Sequence, residues 1–455
     1  MEFSAQELIQ NVRFAGMSFP DRRTGVNVRY GMEDVALSAF SVFFTQSPSF
    51  LSFQRSMQQQ TGRNNAQSLF TIAAIPTDTQ IRRTLDGVPP ERLFPVFAWC
   101  FAMLVAKGGS EKFKSDLGYL LALDGTGYFG SDTIHCKNCL TKTEKKTGNI
   151  TYYHSAITPV LVKPGEEHVL SLPPSFIKTE DGDTKQDCEN KAAKRWLWEQ
   201  SEYGRRLLAT GSDVTVLGDD LYSRQPLLKT IKAQKFHYIL VCKRESHSWL
   251  YDWVDALEIG ENMDQKRRDV QTDWNGTYHR EYTYTFANHV PLKDSKDSFF
   301  VNFVEVFVTR KEDGKELYHN AFISDHMITK ENVATIILSG RTRWKIENEN
   351  NNILKTKGYH FEHNFGHGKD SLSLVLLTLI LLSFLFHTLL DLFNVPYQDL
   401  CVQLRRQYFF NGIRELIQYF YIVNWQHLFT FMREARLRQF VLPSAPFAIL
   451  PLAPS

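Results

Sequence analysis

Two short apolar runs end in acids: Asp124 follows "LLAL", and Asp219, with Asp220 beside it, follows "VTVLG". A third carboxylate, Glu347, stands in "RTRWKIENENNN", residues 341 to 352, four residues after Arg343 and two before Glu349. Strand carboxyl ends are where open α/β sheets put chemistry. Three carboxylates brought together repel one another unless something neutralises them. Hard divalent cations do so, and Mg²⁺ takes oxygen ligands. Two such ions activate a water and stabilise the departing oxygen in an in-line displacement at phosphorus. Each acid alone has an ordinary reading as a turn residue or helix cap. Arg343 and Glu347 at i,i+4 read as a helix ion pair or, the favoured expectation, as an arginine placed to meet a phosphate.

The elements that must position these acids can be read from periodicity. Residues 1–112 are helical in pattern, with amphipathic spacing in "GMEDVALSAFSVFF" and a capped start and glycine stop in "PTDTQIRRTLDG". From 113, three apolar segments read as sequential strands: "GYLLALDGTGYF", "ITYYHSAITPVLVK" and "EHVLSLPPSFI". There follow a helix in "QDCENKAAKRWLWEQSEYGRRLL", a strand in "DVTVLGDD", a helix in "QPLLKTIKAQK" and a strand in "FHYILVCK". Three strands followed by alternating helix and strand predict an α/β domain with a mixed sheet. Residues 244–338 alternate as antiparallel strands do, so they read as a β-rich insertion, with helical sequence resuming near 341. The second part of the α/β domain is expected over 339–395, and a helical region with a Pro-rich, extended tail over 396–455.

The bulk composition bounds the alternatives. The chain has 455 residues, 43% of them hydrophobic and 22% charged, as folded proteins have. A formal net charge of +2 excludes a uniformly basic, histone-like protein but not local basic patches. Six irregularly spaced cysteines give no disulfide framework and fit a reducing cytoplasm. No basic leader with an apolar core opens the sequence. The run "SLSLVLLTLILLSFLFHTLL", residues 371–390, is long enough to span a membrane. Its serines, threonines and His387 favour a buried core helix, with no membrane contact expected.

With the order acid, acid, β insertion and glutamate-bearing helix, the chain resembles the IS4-like DDE transposases of bacterial insertion sequences. The resemblance covers residues 113–390 and rests on "LDGT", "LGDD", "QDCENKAAKRWL" and "RWKIENENNNILKTKGYHFEHNFGHG". It implies an RNase H-like catalytic domain interrupted by the β insertion, in which Asp124, Asp219 and Glu347 hold Mg²⁺ or Mn²⁺. It implies cutting of DNA ends at terminal inverted repeats and joining of the 3′-hydroxyl to target DNA. A homodimer on DNA, a cytoplasmic, nucleoid-associated location and DNA contacts by the N-terminal helices belong to the same expectation. Family members carry a Tyr-x2-Arg-x3-Glu-x6-Lys signature around the glutamate. Arg343 and Glu347 match it, but Gly340 occupies the tyrosine position and Leu354 the lysine position. Lys355 is one residue late, so it or Lys357 would make the DNA contact. These departures keep open a catalytically silent DNA-binding relative, and a non-transposing metal-dependent nuclease is the further alternative.

Four secondary signals remain. "HCKNC" supplies Cys136 and Cys139, half of a tetrahedral zinc site, with His135, His154 or Cys188 to complete it, or else a metal-free reduced pair. His360, His363 and His367 read as a polar turn. Trp249, Trp253 and Trp274 are core residues or a platform for a displaced base. Arg405, Arg406, Arg414, Arg433, Arg436 and Arg438 form a solvated basic face, a subunit interface or phosphate contacts.

Overall fold

The computed structural model describes residues 3–24, 29–179, 185–199, 209–260, 265–436 and 447–448. The N-terminal part is helical: α1 (Ala5–Met17), α2 (Met32–Phe44), α3 (Phe50–Gln58), α4 (Gln60–Phe70), α5 (Asp78–Leu85) and α6 (Phe94–Ala106). Side-chain caps start three of these helices: Ser4 on α1, Ser49 on α3 and Thr77 on α5.

A 10-stranded mixed sheet comes next in the chain. At its centre β2 (Gly118–Ala122), β9 (Val214–Gly218) and β10 (His237–Val241) run parallel, and β6 (Val160–Val162) is antiparallel to β2. The short β1 (Lys114–Ser115) also pairs with β2. Every residue of β2 and β9 is buried. That is why their sequences are continuous apolar runs: a parallel strand is covered on both faces.

Each of the three early apolar segments, read as one strand, is divided between two sheets. The first gives β2 and β3 (Gly125–Ser131), the second β5 (Ile150–Ile157) and β6, and the third β7 (Leu170–Ser171) and β8 (Ser175–Phe176). Strand β5 pairs with β3, β4 (Leu140–Thr143) and β8 in a small second sheet. The breaks fall at Asp124, at Thr158-Pro159 and at Pro173-Pro174. Proline cannot donate to a ladder, so the chain changes sheets at the last two. Thr158 N–H donates to the Asp124 carbonyl (3.1 Å), tying the first two breaks together.

The β-rich segment is inserted in sequence but continuous in hydrogen bonding. After α7 (Lys185–Glu199), α8 (Gln225–Ala233) and α9 (Ser248–Ala256) come β11 (Arg267–Trp274), β12 (His279–Pro291), β13 (Phe300–Arg310) and β14 (Glu316–Ser324). Strand β14 pairs antiparallel with β10, so the insertion extends the main sheet. The full order is β11-β12-β13-β14-β10-β9-β2-β6-β7. Helical structure resumes at α10 (Val333–Arg341), earlier than the expected 341. It continues through a π-helical turn (Ile346–Asn352) into α11 (Ile353–Thr356).

The apolar run forms α12 (Leu372–Phe393), with a peak mean hydropathy of 2.3 and 94% of that stretch buried by the rest of the chain. Phe386 packs edge-on against Phe40 of α2, ring centres 5.3 Å apart. His387 is satisfied inside, sharing hydrogen bonds with Tyr359 Oη (2.8 Å) and the Phe44 carbonyl (3.0 Å). Asp86 caps the helix from a distance, accepting from the N–H groups of Ser371 and Leu372 (both 3.1 Å). Helices α13 (Val395–Gln403), α14 (Arg406–Tyr419) and α15 (Trp425–Arg436) follow. The Pro-rich tail lies outside the described residues except for Phe447–Ala448, a two-residue strand paired with Tyr421–Ile422.

Candidate functional site

The two aspartates follow adjacent parallel strands. Leu123 N–H, one residue past β2, donates to the Leu217 carbonyl of β9 (2.9 Å), so Asp124 leaves the sheet beside Asp219. Both are half-buried. Burial lifts the Asp124 carboxyl to about 7, with Arg343 pulling it down and Asp219, Glu347 and Glu189 pushing it up. Asp219 is raised by burial as well, against the Leu221 N–H it caps (2.9 Å) and against Arg343. Asp124 thus feels both other acids singled out by sequence, while Arg343 draws both aspartates down and Lys243 adds to its effect on Asp219. Asp220 is engaged elsewhere: it accepts from Lys243 N–H (2.7 Å) and from the Ser246 hydroxyl.

Glu347 is half-exposed and paired with Arg343, Nη1 to Oε1 2.7 Å. Glu349 turns away and lines a separate cavity of about 180 Å³ with His168, Asp391 and Tyr359. The asparagines around these glutamates are not all a solvated face. Asn350 and Asn351 are buried. Asn351 Nδ2 donates to Asp124 Oδ2 (3.3 Å), and its own Oδ1 accepts from Thr158 (3.0 Å) and Asn350 (3.0 Å). The turn that carries Glu347 is therefore fastened to Asp124 by side-chain hydrogen bonds.

The π-helical turn changes the reading of the late lysine. On a uniform α-helix one residue is about 100° of rotation, enough to turn Lys355 off the face that Leu354 would occupy. A π turn closes i to i+5 and so takes up about one extra residue. Leu354 is buried, whereas Lys355 is exposed and pairs with Glu362 (2.8 Å). Lys357 is exposed. Gly340 packs where nothing larger fits without movement: a Cβ there would lie 2.9 Å from both Ile239 and Phe322 side-chain atoms.

Two further residues at the site escaped the sequence reading. Glu189 on α7 is buried, its carboxyl carbon 2.8 Å from where a Cβ on Gly125 would sit. Tyr222, directly after the Asp219 turn, is fully buried with no hydrogen-bond partner for its hydroxyl. Burial raises that phenol, and Glu189, Asp124 and Asp219 add to the rise. Neither stood out in a chain with 50 acidic residues and 18 tyrosines.

A second group of donors lies on the small sheet. The Sγ atoms of Cys136 and Cys139 and the side-chain nitrogens of His154 and His367 all lie within 4.8 Å of one another. Cys136 and Cys139 precede β4 and His154 lies on β5, as expected. His367 arrives from the loop before α12, where a polar turn was expected. His135 stacks on Tyr152 instead, ring centres 4.5 Å apart. The Cys188 side chain lies outside the described residues. A third group, His237, Asp325 and His326, sits at the opposite end of the main sheet, where Lys232 Nζ already meets Asp325 (2.5 Å).

Trp253 packs against the core, whereas Trp249 and Trp274 are exposed. Several C-terminal arginines turn inward. Arg406 donates to Tyr359 Oη, Arg414 Nη1 reaches the Thr45 and Gln46 carbonyls (both 2.7 Å), and Arg433 meets Asp399 (3.5 Å). Arg405 is exposed, and the Arg436 and Arg438 side chains lie outside the described residues. No family model matches the chain, and no curated protein matches it in sequence.

Proposed function

We propose that the chain is a DNA transposase of the IS4-like DDE class with an RNase H-like catalytic domain. Asp124 and Asp219 at the ends of adjacent parallel strands, with Asp124 electrostatically coupled to Glu347, carry this reading. In the main sheet β2, β6 and β7 pair antiparallel in turn, and β9 and β10, each preceded by a helix, run parallel to β2, an order that supports the RNase H-like assignment. The three carboxylates are suited to hold Mg²⁺ or Mn²⁺, which when bound would polarise the scissile phosphate and lower the pKa of an attacking water. Arg343 offsets the clustered negative charge and can release Glu347 to a metal while turning its guanidinium to a phosphate. Lys355 and Lys357 offer exposed cations beyond the π turn. A cavity of about 550 Å³ lined by Arg22, Arg23, Arg29 and Arg83, with Asp86 and Asp370 also on its wall and Arg23 held by Asp21, offers arginines for DNA-backbone contact by the N-terminal region.

In this reading the protein works as a homodimer in the cytoplasm at the nucleoid, without membrane contact, holding two terminal inverted repeats and a target duplex. The packing at Gly340 favours a second reading, a catalytically silent DNA-binding relative, because it denies the signature its tyrosine.

The test uses the full chain with Mg²⁺ and DNA from both flanks of its own coding sequence. Strand cleavage and a joined product are expected, with Glu347→Gln lowering cleavage at least about a hundredfold. Cleavage without joining points to a nuclease. Binding without cleavage supports the silent relative, and full cleavage by Glu347→Gln overturns the mechanism.

A further inference from the structure

We infer that Cys136, Cys139, His154 and His367 form a structural Zn²⁺ site that staples together the chain segments leaving Asp124 and Glu347. Cys136 Sγ lies 3.9 Å from Cys139 Sγ and 3.5 Å from His154 Nε2. Cys139 Sγ lies 3.5 Å from His154 Nε2 and 3.4 Å from His367 Nε2. Bond lengths of about 2.3 Å to sulfur and about 2.0–2.1 Å to nitrogen make tetrahedral edges of about 3.8 Å for S···S and about 3.6 Å for S···N. The observed separations fit those edges.

The donors are soft thiolates and imidazoles, a set that selects Zn²⁺ over Mg²⁺ or Ca²⁺. Four protein ligands leave no open position, so the site is structural rather than catalytic. Backbone N–H groups point at both sulfurs: Asn138 N–H at Cys136 Sγ and Cys136 N–H at Cys139 Sγ (both 3.4 Å). These bonds hold both sulfurs in place on the turn, facing His154. Phe129 stacks on the His367 ring, centres 4.1 Å apart, and Tyr128 stacks on His154 at 5.6 Å. Asn138 Nδ2 donates to the Asp370 carbonyl (2.6 Å) and Lys137 pairs with Asp370, so the cysteine turn is already drawn onto the loop of His367.

The location gives the site its role. Strand β3 begins directly after Asp124; the two cysteines lie between β3 and β4, and His154 lies on β5, which pairs with both. His367 lies on the loop that comes after the Glu347 turn and α11. One ion thus joins the chain leaving Asp124 to the chain leaving Glu347. On binding, the two thiols give up their protons to solvent and the imidazoles bind as neutral ligands.

The experiment measures zinc by elemental analysis in the full-length chain purified without chelator. One zinc per chain is expected, falling at least about tenfold in Cys139→Ser and in His367→Ala. His135→Ala, whose ring lies outside the site, should keep the wild-type content. Should the ligand variants fail to fold, Co²⁺ exchanged into the wild-type chain should give tetrahedral ligand-field bands with thiolate charge transfer. Substoichiometric zinc together with no sulfur-to-cobalt charge transfer overturns the proposal. So does a Cys136–Cys139 disulfide in protein whose thiols were blocked at lysis. None of these readouts depends on DNA cleavage, so the zinc site and the transposase reading can fail separately.

Discussion

At the scale of single residues, Asp124 has the most to lose from its position. Its carboxyl is raised by burial to about 7, far above the usual 3.8. In the metal-free protein the folded state therefore keeps a proton that the unfolded chain has already released between about pH 4 and pH 7. Stability falls as pH rises through that window, by on the order of 2–4 kcal/mol for a shift of this size. Asp124→Asn removes the ionisation. It is expected to raise the metal-free Tm at pH 8, to leave it little changed at pH 4 and to abolish metal-dependent cleavage. Denaturation of both proteins at the two pH values checks the sign: a variant less stable than the parent at pH 8 would show that the buried charge is already compensated. Added Mg²⁺ should raise the Tm of the parent chain more at pH 8 than at pH 6, because metal and proton compete for the same oxygens.

At the scale of elements, the π-helical turn sets the phase between Glu347 and the lysines beyond it. Deleting Asn348, which is exposed and bonds only to the Trp344 carbonyl (3.2 Å), should convert the turn to α-helix. Lys355 would then fall seven residues after the glutamate instead of eight, on nearly the same face. The deletion is expected to preserve DNA binding and leave Leu354 buried, which binding assays and thermal melts would check. A collapse of stability comparable to a core deletion would mean that the π turn serves the Asn350–Asn351 hydrogen bonds rather than the lysine. Counted at a uniform α-helical rate the spacing turns Lys355 off the matching face, and the π turn shifts that phase by about one residue.

At the scale of the whole molecule, α12 is the pillar against which the N-terminal helices and the sheet are packed. Phe386 is fully buried and touches Phe40. Phe386→Ala should cost about 3–5 kcal/mol, transfer and cavity together. A chemical denaturation midpoint lowered with an unchanged slope would verify this, whereas a loss below about 1 kcal/mol would imply that the neighbouring phenylalanines collapse into the space. The same burial explains why a helix apolar enough to cross a membrane carries a histidine: Tyr359 and the Phe44 carbonyl satisfy it inside the protein.

Local chemistry was enough to determine several things from the sequence alone. Almost wholly apolar runs ending in acids marked the buried strands β2 and β9, because two-faced burial leaves no room for alternation. The spacing of Arg343 and Glu347 placed them on one helix face, where they pair, although a phosphate contact by Arg343 was the favoured expectation. Tertiary structure decided the rest. It split each early strand between two sheets, because hydrophobic patterning does not say which ladder a residue joins. It hydrogen-bonded the β insertion into the main sheet and buried Asn350 and Asn351, beside Glu347, against Asp124. It also brought His367 to Cys139 across 228 residues of chain. Separation along the sequence carries no record of that meeting, which only the folded path of the backbone brings about.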